Sequence, residues 1–473
     1  MIILISSKIG HQNIQASLGK PEYSYFFLMK DFLPALERIG KVIQTQNRDE
    51  IEALHSRYLA EGEQVIFISV SPPHQTPLGL ACPTVTLFAW EFDSLPNLAW
   101  DDDPHNDWGY VFSRLQGAIC TSRETARLVV ENSVEGFPVI ALPAPVWDRY
   151  AHLGPAEGWG FRSEPRHFDF SGITIDSPLL GLSADGLVHK ADDVPVAGMA
   201  EGMPAAGMPK VRSRISMARA VRLSLSLLRG WLREMGLAGT AKRKPQKVMV
   251  SGVVYCTVLN PADGRKNWVD IVTAFCWAFR DREDATLIVK MTHHDLEYYR
   301  VVLLTLLSRL APFKCRVLVL HGFLEDRQYQ QLIEASTYYV NASTGEGLCL
   351  PLMEFLASGR PALAPAHTAM ADYLSPDSSL ILRTCLEPAC WPHDPTGMLY
   401  TRKHRLDWQS LMEAFRESYD LVKSQPERYQ DMSRKAREQM ADFASVERVG
   451  LPLEAFLRSA LDHHARVRQG VEQ

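Results

Sequence analysis

The chain has 473 residues, enough for two or three domains, and its hydrophobic fraction of 46% is ordinary for a globular protein. The formal net charge of -5 argues against nucleic acid as the main partner, because binding to phosphates needs an excess of cations. Eight scattered cysteines without Cys-x-x-Cys spacing favour buried reduced thiols in a cytoplasmic protein over a zinc site or a disulfide framework.

The apolar run at residues 2–5 is too short for a secretion signal and passes directly into Ser-Ser-Lys, so we interpret it as a first strand. No stretch approaches the roughly 18 apolar residues that a membrane-spanning helix requires. We therefore expect a cytoplasmic protein that is either soluble or peripheral at the inner face of the membrane.

Residues 1–150 alternate short apolar runs with amphipathic segments. Strands are predicted at residues 1–6, 41–44, 64–70, 84–89, 117–121 and 139–142. Helical patterns, such as those of residues 23–39 and 48–61, lie between them. Short apolar strands separated by helices indicate a parallel sheet covered on both faces. The pattern predicts one Rossmann-like domain.

Residues 151–246 interrupt this alternation and are interpreted as an insertion. The first part, through residue 208, is rich in Gly, Pro, Ala and Asp and is typical of a flexible linker. The second part predicts a basic amphipathic helix over residues 210–237, with arginines along one stripe and Trp231 near the apolar side. Two interpretations stay open: the helix lies on an anionic membrane surface, or it packs on the protein with a solvated arginine face.

A second alternation begins at residue 247, with strands predicted at residues 248–254, 285–290, 316–320, 337–341 and 360–364. We assign residues 247–400 to a second Rossmann-like domain and residues 401–473 to C-terminal helices that pack across both domains. Ligands of open parallel sheets bind beyond the carboxyl ends of the strands. The sequence therefore predicts an α/β protein in which two parallel sheets face a central cleft.

The stretch from Asn341 to Pro361 follows a predicted strand and places two carboxylates eight residues apart. Glu346 lies in a Gly-flanked loop, and Glu354 falls in the first turn of a helix that Pro351 begins. Free N–H groups at a helix start favour anions, and a carboxylate there can accept hydrogen bonds from a vicinal diol. This arrangement predicts a nucleotide-sugar pocket in which Glu346 faces a third polar group.

A second cluster lies in the turn-rich loop 260–268. Arg265 and Lys266 stand near the start of the next predicted helix, where cations oppose the helix dipole. A bound anion would offset that unfavourable placement, so we predict that the pair faces an anionic ligand. The alternative is two exposed loop cations without a ligand.

Four segments of the second domain carry a resemblance to a known family. They are Gly322-Phe-Leu-Glu-Asp-Arg-Gln-Tyr329, Leu332-Ile-Glu-Ala-Ser-Thr-Tyr-Tyr-Val-Asn341, Gly345-Glu-Gly-Leu-Cys-Leu-Pro-Leu-Met-Glu354 and Gly359-Arg-Pro-Ala-Leu-Ala-Pro365. Together they resemble the donor half of family-4 retaining glycosyltransferases, over about residues 250–375. The resemblance implies the two-Rossmann-domain fold called GT-B, a nucleotide diphosphate sugar as donor, and no cofactor or metal.

The resemblance also implies roles for the motif residues. Arg265 and Lys266 would hold the donor diphosphate and neutralise the leaving group, so that two cations do the work of a metal. Glu354 would bind the ribose hydroxyls, and Glu346 would position sugar hydroxyls near the reacting carbon. The predicted catalytic residues are therefore Glu346, Arg265 and Lys266, without a covalent nucleophile.

Further donor contacts are expected around the same loops. Gly347 and Leu348 follow Glu346 directly, and the turn at Phe323 and Leu324 would meet the nucleobase through its backbone. Lys290 ends a strand whose family counterpart is usually followed by glycines, and it is either an extra phosphate or sugar contact or a lysine reaching solvent. Because backbone contacts leave little trace in sequence, UDP, GDP and ADP donors stay open.

On the acceptor side, Trp90 and Glu91 follow the fourth predicted strand at its carboxyl end. The phrase from Trp90 through Pro96 to Trp100 resembles bacterial cell-surface polysaccharide transferases. An aromatic ring and a carboxylate can stack on and orient a sugar acceptor. A strand-end cap is the alternative role for Glu91.

Gly10 and His105 complete the acceptor-side candidates. Gly10 is the one glycine where family members often have a glycine-rich loop after the first strand. His105 either contacts the sugar or acceptor or lies on the surface at a helix start. The three aspartates at residues 101–103 are interpreted as a charged loop, so no metal ligands are predicted.

Taken together, the patterns predict a retaining hexosyltransferase that transfers a sugar to a glycan or lipid-linked acceptor in cell-surface polysaccharide synthesis. The alternatives are a nucleotide-sugar hydrolase or sugar phosphorylase of the same fold, and a non-catalytic membrane-associated glycan-binding scaffold. Expected partners are the nucleotide-sugar donor, the acceptor and, through residues 210–237, an anionic membrane surface.

Overall fold

The structure is a computed structural model that describes residues 1–9, 17–20, 23–154, 164–180, 245–293, 295–392, 394 and 396–471. Two of the sequence predictions, Gly10 on the acceptor side and the amphipathic helix over residues 210–237, lie outside the described residues.

The first domain is built on a six-stranded parallel sheet with strand order β2-β1-β3-β4-β5-β6. Its strands are β1 (Ile2–Ser7), β2 (Lys41–Gln44), β3 (Val65–Val70), β4 (Thr84–Phe88), β5 (Gly117–Cys120) and β6 (Val139–Ala141). Its helices are α1 (Tyr23–Ile39), α2 (Arg48–Ala60), α3 (Trp108–Phe112), α4 (Arg123–Glu131) and α5 (Trp147–Tyr150). Every residue of β3 and β4 is buried, as expected for central strands covered on both faces.

The second domain has a seven-stranded sheet with strand order β15-β14-β13-β10-β11-β12-β8. Its strands are β8 (Ile173–Asp176), β10 (Val253–Leu259), β11 (Ala285–Met291), β12 (Arg316–His321), β13 (Tyr338–Val340), β14 (Ala362–Ala364) and β15 (Ser379–Ile381). All pair in parallel except β8, which runs antiparallel along β12 at the edge. Its helices are α6 (Trp268–Ala278), α7 (Leu296–Leu310), α8 (Asp326–Ala335) and α9 (Leu350–Ala357).

Two small antiparallel pairs flank this sheet. β7 (Arg166–Phe170) pairs with β9 (Gln246–Val250), and β16 (Thr384–Cys390) pairs with β17 (Tyr400–Leu406) to form a long hairpin. The predicted boundary between residues 400 and 401 falls inside this hairpin, because β17 begins at residue 400.

Three helices end the chain: α10 (Trp408–Ser424), α11 (Pro426–Ala444) and α12 (Val446–Val471). α10 packs on α6 of the second domain, whereas α12 packs on α1 of the first domain. The C-terminal region therefore contacts both domains. None of the helices in the described ranges is long and apolar enough to cross a membrane.

The structure changes the picture of residues 151–246. β7 and β8 lie inside this range, and β8 hydrogen-bonds to β12, so that residues 164–180 belong to the second domain rather than to a linker. Burial explains the order, since Phe168 and Phe170 are completely buried in β7. The rest of the predicted insertion, residues 155–163 and 181–244, lies outside the described residues.

Two parallel α/β sheets, each covered by helices, confirm the predicted pair of Rossmann-like domains. One hydrophobic cluster runs from the first sheet through Val146 and Tyr150 of the α5 region into the second sheet and α12. The two domains thus share apolar packing on one side. The carboxyl ends of their strands face each other across a cleft.

Candidate active site

A cleft of about 1250 Å³ lies between the two domains. Its walls come from loops at the carboxyl ends of β4, β10 and β13, together with α1, α9 and the hairpin β16–β17. A pocket for one small ligand usually measures about 300–1000 Å³, so this cleft has room for more than one. Most of the predicted site residues line it.

Glu346 is the most tightly held side chain in the cleft. Lys266 Nζ lies 2.6 and 2.7 Å from its two carboxylate oxygens, and Ser343 Oγ and Asn341 Nδ2 donate to Oε1 at 2.5 and 3.1 Å. Only 4% of Glu346 is exposed. Burial alone would raise the pKa of Glu346, but the charges of Lys266 and Arg265 and these hydrogen bonds lower it to about 2. The carboxylate is therefore ionised throughout the physiological range.

Local backbone geometry explains why Glu346 faces the cleft. β10 and β13 are neighbours in the sheet, so the loops that follow them lie side by side. The Asn341 side chain accepts a hydrogen bond from Ser343 N at 2.8 Å, which turns the chain sharply after β13. Thr368 Oγ1 then accepts from Glu346 N at 3.0 Å. The loop is thus fixed at both ends before any ligand binds.

Arg265 is also fully engaged. Its guanidinium makes a bidentate contact with Asp263 at 3.1 and 2.7 Å, donates to Gly345 O at 3.0 Å, and forms an ion pair with Glu91 at 3.0 Å. Burial would lower the pKa of Arg265, but the charges of Glu91 and Asp263 outweigh that effect and raise it. Because Glu91 belongs to the first domain, this ion pair crosses the cleft.

The charges around this loop do not balance. The two cations, Arg265 and Lys266, face three carboxylates, those of Asp263, Glu91 and Glu346. An anionic ligand that reaches these cations must therefore compete with carboxylates or find positive charge elsewhere.

Lys290 provides such a charge. It is 3% exposed on β11, between Val258 of β10 and Leu320 of β12, and it lines the cleft. Within the described ranges its ammonium makes no hydrogen bond or ion pair, and burial lowers the pKa of Lys290 to about 7. A buried lysine without a carboxylate is costly, and a ligand oxygen would remove the cost. Of the two interpretations of Lys290, the buried position is at odds with a lysine reaching solvent.

Glu354 lies at the other end of the cleft, on α9, and is 5% exposed. Tyr329 Oη donates to its Oε2 at 2.5 Å. Burial and the nearby charge of Asp31 raise the pKa of Glu354, while hydrogen bonds from Tyr329 and Tyr150 and the charge of Arg149 oppose that rise. The helix begins at Leu350, with Pro351 in its first turn as predicted, but the first turn holds no acidic residue. The prediction that Glu354 lies in the first turn was therefore wrong, because the helix starts one residue before Pro351 and Glu354 falls beyond its first four positions.

An ionic group from both domains surrounds Glu354. Arg149 pairs with the buried Asp31 at 2.8 Å and reaches Asp326 of the second domain at 3.1 Å. Lys30 of the first domain contacts the same Asp326 at 2.7 Å. Asp326 thus links the two domains at the Glu354 end of the cleft.

Two glycines allow the Glu346 loop to approach the first domain. A Cβ on Gly347 would lie 2.7 Å from Trp90 N, and one on Gly345 would lie 2.8 Å from Glu91 O. Thr121 Oγ1 donates to Gly347 O at 2.6 Å, so the contact is hydrogen-bonded as well. Close approach of the two backbones is the physical reason for glycine on both sides of Glu346.

Of the two residues in the predicted nucleobase turn, one lines the cleft and the other does not. Leu324 is buried and lines the cleft, whereas Phe323 packs with Ile9 and Phe26 of the first domain. Gly322 precedes them with φ +148, a conformation that favours glycine. Leu348 is buried and lines the cleft, and its carbonyl accepts from Tyr373 at 2.8 Å.

The described candidates for the acceptor side lie in two different places. Trp90 and Glu91 line the cleft, but Trp90 is largely a packing residue, with its ring 4.6 Å from that of Trp108 and its Nε1 donating to Ser94 O at 2.8 Å. His105 bonds to Asp103 at 2.8 Å and lines a second cavity beside the cleft.

Several residues in the cleft were not identified from sequence. Tyr329 stands at the end of a quoted motif, but nothing in its identity shows that its hydroxyl meets a glutamate 25 residues later. Arg149, Tyr150 and Trp391 belong to no motif and reach the cleft only through tertiary packing. In the described part of the chain, no cluster of three or more His, Cys, Asp or Glu side chains is arranged to hold a metal ion.

Comparison with known proteins gives the fold a name. No protein-family model matches the sequence, and no curated protein does. Among solved structures, Anabaena HepE in complex with UDP has 10% sequence identity and a TM-score of 0.50, with 97% of this chain and 99% of that chain covered. A Rickettsia africae glycosyltransferase gives 10% identity and a TM-score of 0.50, with 97% and 98% covered. The chain has the GT-B fold.

A sucrose-phosphate synthase from Thermosynechococcus elongatus is a further structural relative, with 12% identity, a TM-score of 0.47, and 97% of this chain and 98% of that chain covered. The architecture, which is the predicted one, follows from the two structures with TM-scores of 0.50.

Proposed function

We propose that the protein is a retaining glycosyltransferase that moves a hexose from a nucleotide diphosphate sugar to a glycan or lipid-linked acceptor in cell-surface polysaccharide synthesis. The observation that carries the proposal is the ion pair between the buried Glu346 and the partly buried Lys266 at adjoining strand ends, inside a cleft that both domains line. The GT-B fold supports it, as does the presence of UDP in the HepE structure.

In this proposal the donor lies along the carboxyl edge of the second sheet. Lys266, Arg265 and Lys290 supply positive charge toward the diphosphate and its nucleoside. Leu324, Gly347 and Leu348 shape the walls. Fixed charges aimed at a departing diphosphate are the largest source of rate enhancement expected here, and they require no metal ion.

Glu354 binds the ribose hydroxyls and fixes the nucleotide at the far end. Tyr329 and Tyr150 both donate to the Glu354 carboxylate, and because its two oxygens together can accept about four hydrogen bonds, acceptor sites are left for the sugar hydroxyls. The pocket is therefore preorganised before the donor arrives, so less side-chain entropy is lost on binding.

Glu346 positions the sugar, and its charge state decides what else it can do. With a pKa of about 2 it carries no proton to donate, unlike the acid of a glycoside hydrolase. The acceptor hydroxyl attacks the anomeric carbon from the face that the diphosphate leaves, and a phosphate oxygen takes the hydroxyl proton. The bond to the leaving oxygen breaks as the new glycosidic bond forms, so no enzyme base is required.

The decisive test is the pair of substitutions Glu346→Ala and Arg265→Ala, assayed for transfer once a thermal-shift screen with UDP, GDP and ADP has identified the base. We expect transfer to fall by about 10²-fold or more in each variant. Glu438→Ala and Arg434→Ala are matched controls, because these residues form an exposed ion pair on α11. Near-wild-type transfer by either site variant would show that the assigned pocket is wrong.

Association with an anionic membrane through residues 210–237 is part of the same proposal. Cosedimentation of the full chain with vesicles that contain anionic lipid, compared with neutral vesicles, tests it. Binding that does not depend on lipid charge would contradict it.

A further inference from the structure

The hairpin β16–β17 leaves the second domain and fastens onto the acceptor loop of the first. Asp93, three residues after Trp90, accepts from Thr401 Oγ1 at 2.7 Å and from Arg402 N at 2.8 Å. Its other oxygen pairs with Arg402 Nε at 2.5 Å, and Ser94 Oγ donates to Tyr400 O at 2.9 Å. Both strand and side-chain contacts therefore hold the hairpin over the cleft.

The same strand touches the donor loop. His404 N donates to Thr344 O at 3.0 Å, two residues before Glu346. The His404 ring stacks on His367 at 4.0 Å. One strand, β17, thus joins the loop that would hold the donor sugar to the loop on the acceptor side.

Three tryptophan side chains, Trp90, Trp100 and Trp391, pack together beside the hairpin. Trp391, directly after β16, packs against Trp90 and Trp100 with ring centroids 5.6 Å from each. Trp100 is half-buried and lines the cleft. Flat aromatic surfaces of this kind pack against the apolar faces of sugar rings.

Polar side chains lie on the same side of the cleft. Asn106 Nδ2 donates to Trp100 O at 2.9 Å, and Gln75 lies beside His74, with 3.3 Å between their side-chain nitrogens. Gln75 Oε1 is buried and accepts no hydrogen bond from the residues that the structure describes. A buried acceptor without a donor costs about 1–3 kcal/mol, and a ligand hydroxyl would satisfy it.

A second cavity of about 670 Å³ continues from this point. It shares His74 and Gln75 with the main cleft, so the unsatisfied acceptor stands where the two spaces meet. Its further lining includes the side chains of Arg48, His105, Tyr110 and Arg114. Charged and hydroxylated side chains suit a saccharide, whereas an alkyl chain would leave them desolvated.

We propose that the acceptor is an oligosaccharide whose reacting sugar lies against Trp100 under the hairpin and whose preceding sugars pass Gln75 into the second cavity. The inference rests on the proposed glycosyl transfer and adds the acceptor class and its path. Gln75 Oε1 and the second cavity offer contacts to the sugars that precede the reacting one.

The test measures binding of the full-length labelled protein, with excess UDP, to an array that carries monosaccharides through hexasaccharides. We expect binding to glycans of two or more sugars and about tenfold less to single sugars. Trp100→Ala and Gln75→Ala should each weaken oligosaccharide binding about tenfold, which corresponds to one lost stacking or hydrogen-bonding contact. Calorimetry should show UDP affinity unchanged within about twofold in both variants.

Leu386→Ser is the matched control, since Leu386 is 53% exposed on the hairpin and does not line the cleft. Equal binding of single sugars, unchanged glycan binding by both variants, or no glycan binding by wild-type protein that still binds UDP would each overturn the inference. Failure of the wild-type protein to bind UDP, GDP or ADP would instead contradict the proposed function beneath it.

Discussion

The two sides of the cleft, which we propose as the donor side and the acceptor side, are held in different ways. On the donor side, Glu346 is buried and receives hydrogen bonds from Lys266, Ser343 and Asn341. On the acceptor side, the hairpin is fastened by an ion pair in which Arg402 is 61% exposed, between residues 309 apart in sequence. The donor side is a rigid, charged pocket, whereas the acceptor side is closed by contacts that solvent can reach.

This difference has an energetic meaning. Removing one partner of a buried ion pair costs about 3–5 kcal/mol, because the other charge stays buried. An exposed pair contributes only about 0–1 kcal/mol. The donor pocket should therefore tolerate few changes without loss of stability, while the acceptor side can be altered with the fold intact.

Among the substitutions, Lys266→Met should have the largest effect. We expect it to lower the free energy of unfolding by about 3 kcal/mol, since Glu346 would remain charged and buried, and to lower transfer by about 10²-fold or more. Thermal unfolding and donor turnover measure the two effects.

The double variant Lys266→Met with Glu346→Gln separates stability from function. No buried charge would be left unpaired, so most of the stability should return while transfer stays low. Lys435→Met on α11, an exposed lysine near Asp377 and Asp431, is the control. Recovery of transfer in the double variant would show that the pair is only structural.

Lys290→Met should have the opposite effect on stability. Its ammonium is buried and has no carboxylate partner among the described residues, so its removal should leave stability unchanged or raise the melting temperature. UDP affinity should fall about tenfold, because a charged hydrogen bond to the nucleotide is lost. Calorimetry and thermal unfolding are the measurements, with the exposed Lys314→Met as control. A less stable variant with normal UDP affinity would contradict a role in binding.

The pH dependence of UDP binding follows from the same lysine. Burial lowers the pKa of Lys290 to about 7, so the free protein loses this charge as pH rises above 7. Binding of an anionic ligand would then take up a proton, and affinity should fall by at most about tenfold in total between pH 7 and 9, the loss expected for Lys290→Met.

Lys290→Arg provides the comparison for this pH effect, because arginine stays charged throughout. Its UDP affinity should vary less between pH 7 and 9 than that of the wild-type protein, while titration of UDP itself contributes equally to both. Parallel pH profiles would place Lys290 outside the nucleotide site.

The smallest effect is expected at Asp93→Asn, which loosens the hairpin. The KM for the acceptor should rise about threefold to tenfold, with UDP affinity and melting temperature nearly unchanged, because the partner that loses its ion pair, Arg402, is 61% exposed and can be solvated. Glu387→Gln is the control, since Glu387 pairs only with Lys403 and Arg405 within the hairpin. A large loss of stability would show that the hairpin is part of the core.

The residues around Glu346 were easier to place in the cleft from the sequence, because the pattern that places them is local. Asn341, Ser343 and Glu346 lie within one turn, and the strand before them has a clear apolar pattern. Even so, Lys266 and Glu346 are 80 residues apart, and only pairing of β10 with β13 brings them together. The burial of Lys290 could not be predicted either, because a lysine at a strand end gives no sequence signal that distinguishes a buried side chain from an exposed one.

The acceptor side was harder to predict because its parts come from distant segments. The predicted domain boundary at residue 400 divided the hairpin, whose polar strands lack the apolar pattern of core strands. His105 was selected for its neighbours in sequence, and it lines the second cavity rather than the main cleft. β7 and β8 were missed because their order depends on pairing with β9 and β12.

Asp326, which meets Arg149 and Lys30 across the cleft, has a consequence for turnover. Its side chain is 58% exposed, so these ion pairs are weak and are screened at physiological ionic strength. The ion pairs that join the domains at the Glu354 end of the cleft can therefore break at little cost in free energy. In the proposed reaction, the nucleoside diphosphate product can therefore leave without unfolding any element, and we expect its exit to quicken as salt concentration rises.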